Sequence, residues 1–150
     1  LGWQMAEPLI TLGGIGLADF DDDGDLDALV LNGFRETGSQ PGRLFWNDGT
    51  GQFSDSGGLF NETMGADLAL GDLDLDGDLD AVIANMDRPN EVWLYDDGNF
   101  IDSGLRLGRN SDMSSMPMLG DLDGDGNLDI VFGRFNGGVE IWFNRGLAGD

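Results

Sequence analysis

The chain has 150 residues, 40% of them hydrophobic, enough to bury one core and consistent with a single domain. Its formal charge is −22, from 29 acidic residues against seven arginines and no lysine; such a surface repels phosphates and anionic headgroups, which argues against nucleic acid partners and membrane insertion. With neither histidine nor cysteine, the commonest general base and the thiol nucleophile are absent, and a non-catalytic protein is expected, paired-aspartate glycosidase chemistry being the alternative.

Leu1 begins directly in a strand-like segment, with no signal peptide, transmembrane stretch or initiator methionine before it, as in a processed or truncated chain. The next strand is predicted at Ile15 to Ala18 and runs into DFDDDGDLD, Asp19 to Asp27. A second strand leaves it, Leu26 to Leu31, followed by the long loop Asn32 to Gly42 (NGFRETGSQPG). The third strand, RLFWNDG from Arg43, is rich in aromatics; Asp48-Gly49 turns the chain into a fourth, GQFSDSGG from Gly51. The same order then recurs. Ala66 to Gly71 enters DLDLDGDLD (Asp72 to Asp80), Leu79 to Ala84 leaves it, and EVWLYDDG from Glu91 turns at Asp97-Gly98 into GNFIDSG. Ser115 to Gly120 enters DLDGDGNLD (Asp121 to Asp129), Leu128 to Gly133 leaves it, and VEIWFNRG from Val139 follows. The acidic phrases start 53 and then 49 residues apart, a period that signals blades or solenoid units.

Each phrase has the chemistry of a calcium loop. Ca²⁺ takes six to eight oxygens at roughly 2.3–2.6 Å, and carboxylates at positions 1, 3, 5 and 9 supply most of them: Asp19, Asp21, Asp23 and Asp27; Asp72, Asp74, Asp76 and Asp80; Asp121, Asp123, Asp125 and Asp129. Position 7 varies (Asp25, Asp78, Asn127), as expected of a residue that binds through its backbone carbonyl. Position 6 is always glycine, where the loop turns sharply, and position 8 is always leucine (Leu26, Leu79, Leu128), expected to anchor the exit in a core. An EF-hand would need a carboxylate at position 12, where Val30, Ile83 and Phe132 stand instead. Solvated acidic surface is the plain alternative, and a threefold recurrence of one register argues against it. Extracellular modules bind calcium at roughly 10⁻⁴–10⁻³ M, so an extracellular or cell-surface setting is expected, with adaptation to high salt as another source of the excess charge.

The loops, the aromatic-N-D-G-x-G-x-F turn and the period together resemble the FG-GAP/VCBS repeats of integrin-alpha-type β-propellers, closest to the VCBS-like branch. The resemblance implies an all-β propeller of four-stranded antiparallel blades, about 15–58, 66–104 and 115–146, with a calcium ion in each loop on one face. It also implies extracellular adhesion or carbohydrate recognition on the opposite face. The GWQMAEP segment sits where GQFSDSG and GNFIDSG sit in the other copies, so residues 1–8 read as the outer strand of a third blade that otherwise lacks one. Three blades are too few to close, since propellers span about four to eight. Two copies completing a six-bladed ring is therefore the expected assembly, with an open filament or a piece of a larger propeller as alternatives.

On that arrangement six of seven arginines fall in or beside loops of the face away from calcium: Arg35, Arg43, Arg88, Arg106, Arg109 and Arg134. They either brace neighbouring blades through carboxylates or, as a ligand face of Arg35, Arg88, Arg106, Arg109 and Arg134, hold acidic sugars or a partner's carboxylates. The loop 32–42 is the first candidate for contact and Gly104 to Met116 the second. Trp46, Tyr95 and Phe143 read as one register of the third strand, flanked by Trp93 and Trp142, and are expected in the core rather than on sugar rings. Asn61-Glu62-Thr63 fits a glycosylation sequon, a pattern common by chance. Two other roles compatible with the sequence are a structural subunit that assembles by strand exchange and a non-catalytic domain of a secreted carbohydrate-active enzyme.

Overall fold

The computed structural model describes residues 13–31, 41–60, 65–109, 113–135 and 137–147. They form eleven strands and, among the described residues, no helix. Sheet one holds β1 (Ile15–Ala18), β2 (Asp27–Val30), β3 (Arg43–Asn47) and β4 (Phe53–Gly58) in chain order. Sheet two repeats this with β5 (Gly65–Gly71), β6 (Asp80–Asn85), β7 (Asn90–Asp96) and β8 (Asn99–Leu107). Sheet three has β9 (Ser114–Gly120), β10 (Asp129–Arg134) and β11 (Val139–Trp142), three strands with no fourth among the described residues. Residues 1–8, expected to supply the fourth, lie outside the described residues, as do Arg35 and the sequon's Asn61.

Every pairing is antiparallel, and the first two strands of each sheet share one register: Ala18 faces Asp27, Gly71 faces Asp80 and Gly120 faces Asp129. Each acidic phrase is thus the connection between first and second strands. β1 lies against β5 and β5 against β9, so the first strands gather and the sheets pack face to face. Close approach explains Gly14, where a Cβ would stand 2.5 Å from the Leu68 backbone nitrogen.

Two cores separate the three sheets. The first joins Phe20, Leu29, Leu31 and Leu44 of sheet one to Leu68, Ile83, Trp93 and Tyr95 of sheet two. Phe60 and Phe100 close it, with Tyr95 and Phe100 rings 5.0 Å apart and Phe60 and Trp93 also 5.0 Å apart. The second core joins Leu73, Val82, Ala84, Val92 and Leu107 to Ile130 and Phe132. Sheet two is covered on both faces, which is why β6 is buried throughout and reads as a continuous apolar run.

Three sequence expectations change. Leu26 and Leu79 at position 8 are exposed rather than anchored in a core, because the following aspartate points inward and alternation turns position 8 outward, whereas Leu128 packs against the second core as expected. Residues at position 2, Phe20 and Leu73, fill the core instead. Tyr95 is not in register with Trp46 and Phe143; it matches Asn47 and Asn144, and Leu94 matches the two aromatics. The cause is turn length. Asp97 and Gly98 make a two-residue turn with both φ positive, 45° and 84°, whereas the first hairpin spans residues 48–52. Last, β8 runs on to Leu107 and β9 starts at Ser114, so most of the expected loop Gly104 to Met116, including Arg106, is strand.

Trp93 and Tyr95 are core as expected, and Trp46 packs against it. In sheet three Trp142 and Phe143 are exposed.

Candidate metal centres

Strand pairing brings the two ends of each acidic phrase together, and the folded loop closes on itself through one hydrogen-bond pattern repeated three times. The carboxylate at position 1 accepts the amide of the glycine at position 6: Gly24 to Asp19 at 2.9 Å, Gly77 to Asp72 at 3.2 Å and Gly126 to Asp121 at 3.1 Å. The carboxylate at position 5 accepts the amide of position 7 at 2.9 Å in every copy. Two left-handed residues make the bend. Position 6 has φ of 95°, 104° and 93°, and position 4 has 58° at Asp22, 66° at Leu75 and 78° at Gly124. The strain at position 4 was not read from the sequence, although the glycine in the third copy is its signature; a leucine there costs roughly 1–2 kcal/mol.

The aspartate at position 9 is buried completely in all three loops. One oxygen of Asp27 accepts the Phe20 amide (3.0 Å) and the other the Asn47 amide (2.8 Å). Asp80 takes Leu73 (2.7 Å) and Tyr95 (2.9 Å), and Asp129 takes Leu122 and Asn144 (both 2.9 Å). This carboxylate ties the loop to the third strand of its own sheet, whatever else it binds.

One oxygen each from Asp19, Asp21 and Asp27 lies within 4.8 Å of the others, and the same holds for Asp72, Asp74 and Asp80 and for Asp121, Asp123 and Asp129. Oxygens around one Ca²⁺ stand at most about 5 Å apart, twice the metal–oxygen distance, so each triad fits a single hard cation. The position-5 residues Asp23, Asp76 and Asp125 and the position-7 residues Asp25, Asp78 and Asn127 lie outside the triads. In the second loop Asp72 Oδ1 is buried without a hydrogen-bond partner, an acceptor that a cation would satisfy. Burial pushes the Asp80 carboxyl up to about 6, and burial followed by the neighbouring Asp76 raises that of Asp74. A bound cation would reverse both effects.

The third loop carries its own counter-charge. Arg145 pairs with Asp123 and also reaches Asp125 at 3.5 Å. The Asn127 amide chiefly, and Arg145 after it, hold the Asp125 carboxyl below the usual range. No sequence signal singled Arg145 out.

At the other end of the sheets Arg43 pairs with Asp55 and Arg134 with Glu140 (2.6 Å), each across to the neighbouring strand of its sheet, while Arg106 pairs with Asp102 (2.6 Å) within β8 itself. Asp102 holds both terminal nitrogens of Arg106, which an incoming anion would have to displace. Arg109 and Arg134 line one recess of ≈ 440 Å³ with Gly108, Glu140 and Trp142. Arg88 follows β6 in the turn toward β7.

A family model described as an FG-GAP-like repeat matches residues 19–83 and again residues 72–132. No curated protein matches the chain.

Proposed function

The chain belongs to the FG-GAP-like repeat family, and from that premise we propose that it is a calcium-binding β-propeller module, non-catalytic, that serves extracellular adhesion or recognition of carbohydrate or protein. The observation that carries this reading is the threefold triad of carboxylate oxygens within 4.8 Å, each built on the same bend. The donor set is all oxygen and anionic, which suits Ca²⁺ over softer metals. Asp19, Asp21 and Asp27, with their counterparts, hold the ion; Asp23, Asp76 and Asp125 close on it through the oxygen not engaged by the position-7 amide. The ion supplies the positive charge that lets these carboxylates stay together. Each pair otherwise repels by about 4 kcal/mol at 4 Å and an effective dielectric near 20.

Thermal melting tests this. With calcium a hundredfold above its dissociation constant, each filled site adds roughly 2.7 kcal/mol, and the melting temperature rises by several degrees. A melting curve that chelator leaves unmoved would defeat the reading.

Recognition belongs to the arginine end. Arg109 and Arg134 share a recess with the exposed Trp142, which suits an acidic sugar that offers a carboxylate to a guanidinium and a ring face to an indole. Arg35, Arg88 and Arg106 complete the proposed face. Replacing Arg35 and Arg109 by alanine should lower binding to an anionic glycan array at least tenfold with melting unchanged; unaltered binding returns these residues to bracing. A second reading, a structural subunit that assembles with its own kind, is favoured by the exposed apolar outer faces of sheets one and three.

A further inference from the structure

The chain contains two sheet-to-sheet interfaces, and they are built alike. In each, the position-2 side chain of one loop enters the core toward the following sheet, and the third strand of that following sheet returns a hydrogen bond to the position-2 carbonyl. The Tyr95 hydroxyl donates to the Phe20 carbonyl at 2.7 Å, and Asn144 Nδ2 donates to the Leu73 carbonyl at 2.8 Å. Tyr95 and Asn144 occupy the same register, since the amides of both are held by the position-9 aspartate of their own sheet.

The two outer faces carry the two halves of that same interface. On sheet three the positions matching Leu73 and Val92, which are 1% and 0% exposed, are Leu122 and Ile141, 52% and 47% exposed; Phe143 stands beside them at 50%. On sheet one the residues matching Leu68 and Leu70 are Ile15 and Leu17, 67% and 60% exposed. Asn47 holds the donor register there. No sheet precedes it among the described residues, and its Nδ2 donates to the Leu26 carbonyl at 3.1 Å.

We propose that the outer face of sheet three docks head-to-tail on the outer face of sheet one of a second copy of this chain, with Asn47 of one copy donating to the Leu122 carbonyl of the other. Two such contacts would close six sheets into one ring, within the range that propellers adopt. This deepens the structural-subunit reading and does not depend on calcium.

Light scattering of the full chain at about 100 µM, in calcium and in chelator, gives the mass. Twice the chain mass is expected, and Phe143→Asp, at an exposed position, should halve it while leaving any calcium-dependent rise in melting temperature intact. Because the chain has no cysteine, Asn47→Cys and Leu122→Cys can be oxidised singly and mixed. The mixture should cross-link and neither variant alone. A monomer in both buffers, or cross-linking in a single-variant sample, overturns the proposal. A doubled mass with no calcium effect on melting sinks the metal reading alone.

Discussion

At the scale of single residues, the carboxylates of one loop do different work although the sequence writes them alike. Asp80 is sealed inside the sheet and satisfies two buried backbone amides, while Asp74 is half-buried in the loop and accepts the amide of its exposed neighbour Asp76 at 3.3 Å. Asp80→Ala should therefore cost about 3 kcal/mol in urea unfolding even in chelator, because it strands two buried N–H groups. Asp74→Ala should leave the chelated protein nearly unchanged and abolish the calcium response of its loop. Equal losses in chelator from both variants would remove the division of roles. Spacing alone makes these residues equivalent. What separates them is the strand pairing that swings position 9 inward against the third strand.

At the scale of the element, the three loops share a fold but not an electrostatic setting. The third bend is neutralised in part by Arg145, which reaches it from the chain segment after β11. A cation entering this loop must displace the guanidinium, so the third loop is expected to be the weakest site. Arg145→Gln should raise its affinity severalfold in calorimetric titration, with the other two sites unmoved; a drop in affinity would show that the arginine helps to shape the site. The hairpins differ in the same way. Asp-Gly marks both turns, yet one closes in two residues and the other spans five, and a one-residue difference exchanges the inward and outward faces of a strand. That is why Tyr95 lies where asparagine lies in the other sheets, and why it, rather than Trp46, stitches two sheets together.

At the scale of the molecule, a charge of −22 with acid gathered at the loop end should make stability depend on pH, with a sign that calcium binding as proposed would invert. Burial holds the Asp80 carboxyl at about 6 in the metal-free fold, above its unfolded value near 3.9. Between those values the folded state binds more protons than the unfolded chain, so metal-free stability falls as pH rises through the window and is recovered on acidification. Relief of carboxylate repulsion acts in the same direction. A calcium ion held by these loops would require ionised ligands, and acidification would release it. From about pH 7 to about pH 5 the melting temperature should rise in chelator and fall in calcium; movement in the same direction in both would sink the assignment of a cation to these loops.

The family, the all-strand character and the position of the acidic bends between first and second strands were determined by the sequence alone, because they rest on local chemistry: glycine at a left-handed bend, aspartate at fixed spacing, β-branched runs ending in turn formers. Only the tertiary structure decided which carboxylate is buried, which aromatic crosses to the neighbouring sheet and where Arg43, Arg106, Arg134 and Arg145 find their acids. Those outcomes depend on which faces of two sheets meet, and that is a property of packing between segments tens of residues apart, which no spacing within a single phrase encodes.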